Sequence, residues 1–92
     1  MSETSITLPE SLTIHQIEGH LGDLRMAFQA DADTLNLEAS SIEAIDTSGL
    51  QLLLALIKQA QSQNKTIQWI TPSEQLTTSA TKLGLTEKLM LS

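Results

Sequence analysis

Asp46, Thr47, Ser48 and Gly49 stand directly in front of a strongly apolar stretch in IDTSGLQLLLALIKQA, residues 45–60. A carboxylate and two hydroxyls in succession are groups that accept hydrogen bonds from the free N–H groups of a helix's first turn. One such cap stabilises a helix by about 1 kcal/mol, and one suffices. Taken alone, the four residues describe an over-capped helix start. The hydroxyls also have a second chemistry. A Ser or Thr at an exposed helix N-terminus can accept a phosphoryl group, because the dianion meets the positive end of the helix dipole. Beside a bound partner the same added charge repels, which makes a switch. Gly49 is unfavourable inside a helix but lets a backbone or a partner approach closely.

Other chemistries find no support in the residue types. The two histidines, His15 and His20, lie five apart, about 140° around a helix of 3.6 residues per turn, so they do not converge on one metal. Ser48 lies in T-S-G, not in G-x-S-x-G, and no histidine is near it in sequence. Asp31, Asp33, Glu38 and Glu43 are scattered and lack the spacing of a calcium loop. With no cysteine, thiolate nucleophiles, thiolate metal sites and disulfides are excluded. The expectation is a non-enzymatic protein with no cofactor and no metal. Five basic against 11 acidic residues, a formal charge of -6, oppose a nucleic-acid partner. The apolar run Leu52–Ile57 is far shorter than the ~20 residues of a membrane span, and MSETSITLPES lacks the features of a signal peptide. A cytoplasmic location is expected.

The surrounding elements decide where the motif sits. Ninety-two residues make one domain, 1–92. Residues 4–8 alternate as a strand, and Pro9 marks it as an edge or a bulge, with extended chain to about Leu12. Thr13 reads as an N-cap. Ile14, Ile17, Leu21, Leu24 and Phe28 follow at steps of 3 and 4, a helical stripe ending near Ala30. Leu35 and Leu37 alternate in a short strand, and Ser40 and Ser41 form a turn. A second helix runs from about Ser48 to Gln63, and 66–71 form a strand stopped by Pro72. Ser73 caps a third helix with the stripe Leu76, Ala80 and Leu83, and Gly84 closes it. Leu85, Leu89 and Leu91 form a short tail suited to packing on the sheet. Strands alternating with helices predict an α/β fold, a small mixed sheet of three or four strands with helices mainly on one face.

At about 100° per residue, Leu50, Leu53, Leu54, Leu56, Ile57 and Ala60 fall on one core-facing arc of the second helix. Gln51 lies opposite. Leu52 and Ala55 lie between, and either pack under a neighbouring helix or form an apolar ridge for a partner. His15, Gly19, Gly22 and Met26 make the outer face of the first helix.

The motif I-D-T-S-G-L followed by LLLALIKQA resembles a STAS domain, a family of sulfate-transporter domains and anti-sigma factor antagonists. LPESLTIHQIEGHLGDLRMAF at 8–28 resembles its first strand and helix, and TLNLEASSIEAIDTSGL at 34–50 its central strand and phosphorylation loop. NKTIQW at 64–69 resembles the next strand and 73–85 the last helix. The resemblance implies a partner switch. A kinase-like anti-sigma factor binds the domain and phosphorylates the loop, here at Thr47 or Ser48, with Ser48 favoured for its place beside Gly49. Asp46 shapes the loop, and Gln51, Leu52 and Ala55 contact the partner. Gly-Leu-Gln replaces the Gly-Leu-Gly of many antagonists, and the leading hairpin is short. In both respects the chain resembles compact members that serve as subunits, on the ATPase of a phospholipid ABC transporter or in a chemotaxis signalling complex with its kinase. A constitutive adaptor is therefore the alternative expectation, with no membrane insertion in either case.

Overall fold

The computed structural model describes residues 2–91. Its elements are β1 (Glu3–Thr7), β2 (Ser11–Leu12), α1 (Ile17–Phe28), β3 (Thr34–Glu38), β4 (Ala44–Ile45), α2 (Thr47–Ser62), β5 (Thr66–Ile70) and α3 (Glu74–Lys82). The strands form a three-stranded sheet in the order β1-β3-β5 and a two-stranded sheet β2-β4. All these pairings are parallel. The α/β alternation thus takes the form of two crossovers, β1-α1-β3 and β3-α2-β5. Both step the same way across the sheet. Right-handed crossovers stepping one way place their helices on one face.

Burial agrees with that arrangement. Side chains alternate across each strand, and the register stacks Ile6 on Leu37 on Trp69, and Thr4 on Leu35 on Ile67. Ile6, Leu35, Leu37 and Ile67 are buried beneath the helices. The opposite face carries Ser5, Thr7 and Gln68, all exposed. Parallel sheets are usually covered on both faces, and here the uncovered one is polar apart from Ile70, which is exposed beside Gln68. Pro9 lies between β1 and β2 and belongs to neither, so its missing N–H breaks no ladder. Past β1, the Leu8 N–H still donates to the Glu38 carbonyl at 2.9 Å.

α1 departs from its sequence stripe at the start. It begins at Ile17 with Gln16 as N-cap and no side-chain cap, so Thr13 does not cap it. Residues 13–16 form a turn in which the Gln16 and Ile17 N–H groups both donate to the Thr13 carbonyl. Ile14 is 62% exposed, and His15 lies in the turn, not on the helix. The turn is tied to the start of α2. The Ile14 N–H donates to the Asp46 carboxylate, 32 residues away, at 2.9 Å. From Ile17 onward the stripe holds, ending on buried Leu24 and Phe28. Gly19 and Gly22 face open space, with no atom within 4 Å of where a Cβ would stand.

α2 buries Leu50, Leu53, Leu56, Ile57 and Ala60 of the predicted arc, while Leu54, also on that arc, is only half-buried at the core's edge. It ends where Asn64 adopts φ 64° and the Lys65 N–H returns to the Ala60 carbonyl. Asparagine tolerates that left-handed conformation better than most residues. Ser73 caps α3, its Oγ accepting from the Leu76 N–H at 3.1 Å. Gly84, at φ 69°, follows its end. Leu83 was expected in the buried stripe but is 47% exposed. The helix stops at Lys82 and Leu83 is its C-cap, its N–H still on the Ser79 carbonyl and its side chain lining an open cavity. The tail packs as expected. Leu89 is buried, and the Trp69 indole N–H donates to its carbonyl at 2.7 Å.

Candidate functional site

β4 delivers the chain to Asp46 beside the end of its partner strand β2. Parallel pairing sets Ile45 against Leu12. The next residue, Asp46, is extended (φ -118°, ψ -174°) and is the N-cap of α2. One carboxylate oxygen accepts from the Gly49 N–H at 3.0 Å, and the other from the Ile14 N–H at 2.9 Å. One acid therefore ties the first turn of α2 to the turn that precedes α1. The Ile14 N–H above all, then that of Gly49, holds the Asp46 carboxyl below its ordinary value of 3.8, outweighing the opposing desolvation.

Because the folded-state pKa lies below the unfolded one, the carboxylate stabilises the fold above the unfolded value. That contribution is lost as pH falls through the lowered pKa. Asp46→Asn keeps one acceptor oxygen for the cap but turns an NH2 group toward the second N–H, and is expected to lower the melting temperature by about 5 °C at neutral pH, the size of losing one charged hydrogen bond in a domain this small. The gap between wild type and variant should stay constant above about pH 5 and narrow below about pH 4. Melting curves from pH 3 to pH 7 check this. A gap that does not vary with pH would remove the charge from the explanation.

The cap is Asp46, so neither hydroxyl is consumed in capping. Thr47 and Ser48 open the helix itself, Thr47 exposed and Ser48 half-buried. Gly49 is buried, and a Cβ there would stand 2.0 Å from the Leu12 carbonyl oxygen. The close approach that glycine permits is thus to the chain's own β2. Thr47, Gln51 and Ala55 recur every four residues and form one exposed row along α2. Leu52, one turn beyond Ser48, is half-buried and packs against the core's edge.

A shallow cavity of about 250 Å³ opens beside this helix start. Ile45, Leu50 and Leu83 give it apolar walls, and Thr47, Ser79 and Lys82 a polar rim. Leu83, Ser79 and Lys82 come from the far end of α3. Sequence patterning did not point to them. Leu83 reads as core by spacing, and nothing local to Ser79 or Lys82 signals the start of α2, 32 and 35 residues earlier.

Fold and site together define a class. This is a small one-sided α/β domain that presents a capped, hydroxyl-bearing helix start beside an apolar cavity, an arrangement suited to recognising another protein. The chain belongs to the STAS domain family: residues 2–92 match the family model described as "Mlab, STAS domain". STAS domains are generally non-enzymatic modules that mediate protein–protein interactions. Comparison with curated proteins returned no match. Among the described residues no helix is long and apolar enough to cross a membrane.

Proposed function

We propose that this chain is a regulatory protein-binding module that docks a kinase-like partner through the start of α2 and is switched by phosphorylation in the D-T-S-G loop. The observation that carries this reading is the exposure of Thr47 on the first turn of α2, uncapped and on the rim of the cavity. Its exposure supports Thr47 over Ser48 as the acceptor, since Ser48 is half-buried. In the transfer the Thr47 Oγ bonds to the γ-phosphorus of ATP, the bond to the β–γ bridging oxygen breaks, and ADP leaves. The hydroxyl proton passes to a base on the kinase. The exposed row of Thr47, Gln51 and Ala55, with Leu52 at its side, is the contact surface. A dianion added at its head would have to lose its water when a partner docks there, and that desolvation weakens binding.

The test uses the kinase-like or ATPase protein whose gene neighbours this one. Incubation with ATP and peptide mapping should place phosphate on Thr47. Thr47→Glu should weaken partner binding by about tenfold, and Thr47→Val should leave binding intact but block the switch. Binding that ignores both substitutions, with no phosphate at 47 or 48, would leave a constitutive adaptor instead.

A further inference from the structure

We propose that a phosphoryl group on Thr47 is held in cis by Lys82 of α3, across the mouth of the cavity that the two residues share. The inference rests on the reading of Thr47 as a phosphoryl acceptor and adds how the fold receives the product.

Thr47 and Lys82 line the same cavity of about 250 Å³, one from the first turn of α2 and the other from the last turn of α3. Asp46 and Lys82 are the ionisable side chains among its lining residues. A dianion on Thr47 would stand beside the Asp46 carboxylate, a like charge. One donor of the first turn, the Gly49 N–H, is already bonded to Asp46. A cation beside these two negative charges would offset their repulsion and add to what the helix start supplies. Lys65 is engaged with the carbonyls of Ala30 and Ala32 and is not that cation. Lys82 is exposed, and a flexible four-carbon stem carries its ammonium. Ser79, three residues before Lys82 on the same helix, lines the cavity as well and adds a hydroxyl donor.

The consequence is mechanical as well as electrostatic. A phosphate drawn toward Lys82 lies over the walls made by Leu50 and Leu83 and closes them to a partner. The modified protein would lose a docking pocket as well as gain a charge. The plainer role for Lys82 is to complement the negative end of the α3 dipole. That role is the same with or without phosphate, so a measurement on the phosphate itself separates the two.

Full-length protein carrying phosphothreonine at 47 is prepared by semisynthesis as wild type, Lys82→Gln and Lys82→Arg. The second ionisation of each phosphate is followed by ³¹P NMR titration around its ordinary value of about 6. A nearby ammonium favours the dianion, so Lys82→Gln should raise that pKa by about half a unit while Lys82→Arg retains the wild-type value. Equal values in all three proteins, each shown to be folded by circular dichroism, would overturn the contact. The outcome does not depend on any kinase. A Lys82-dependent pKa without enzymatic phosphorylation sinks the switch but not the contact, and the converse pair of results sinks the contact but not the switch.

Discussion

Gly49→Ala is expected to lower the melting temperature by roughly 15–20 °C, or to leave the chain largely unfolded at room temperature. The added Cβ would stand 2.0 Å from the Leu12 carbonyl oxygen and 3.0 Å from both the Leu12 carbonyl carbon and Ile45 Cγ1. Two of those atoms are backbone, so no side chain can swing aside to relieve the clash. Leu12 cannot retreat cheaply. It is fully buried, it pairs with Ile45 in the β2-β4 ladder, and its carbonyl receives the Asp46 N–H. Relief requires α2 to lift away from β2, which strains the Asp46 bonds to both Ile14 and Gly49. Overpacking usually costs about 1–3 kcal/mol, and a backbone clash this close lies at or above the upper end. A chain this size has a total stability of only about 5–14 kcal/mol. A variant melting within 2–3 °C of wild type would show that the α2–β2 contact yields easily. The clash with Leu12 explains Gly49 in the D-T-S-G motif by the fold, independently of any partner.

Leu53→Ala carries the second large expectation, and its neighbour Leu52 supplies the contrast. Leu53 is 0% exposed at the centre of the buried face of α2. Truncating a fully buried leucine costs about 2–5 kcal/mol, the spread depending on how far the site collapses. Leu52 is half-buried at the margin of the same core. Leu52→Ala removes less apolar surface from shelter and should cost about 1 kcal/mol. Denaturant unfolding monitored by Trp69 fluorescence gives both values, provided the slope of the transition is unchanged. The order should reverse for binding. Leu53→Ala, where still folded, should leave partner affinity nearly intact, and Leu52→Ala should weaken it. If both substitutions cost the same stability, the division of α2 into a core arc and a ridge is wrong.

Helix α2 was the most legible part of the molecule, and for a clear reason. A long amphipathic helix repeats its signal over several turns, so the buried positions from Leu50 to Ala60 emerge from spacing alone. The same holds for β3 and β5, where alternation sorts Leu35, Leu37 and Ile67 inward. α1 was legible only after its first turn. Ile14 fits the helical stripe, yet it lies in the turn before the helix with its N–H on Asp46, and spacing fixes the end of a helix only to within a residue or two. Leu83 failed in the same way at the other end of α3. A stripe does not state where the helix stops.

The sequence by itself determined the α/β alternation, the core face of α2, the resemblance to STAS domains and the four residues of the loop. All of these rest on local period or short motifs, which need no knowledge of distant contacts. Only the tertiary structure decided which residue of D-T-S-G caps, why Gly49 must be glycine, and which hydroxyl faces outward. Each depends on β2 lying against the start of α2, with Leu12 and Ile14 more than 30 residues away along the chain. The same is true of the cavity that sets Lys82 beside Thr47. Charge and hydroxyl were both visible in the chain. Their shared site follows from parallel strand pairing and helix packing, which bring together segments that no local pattern connects.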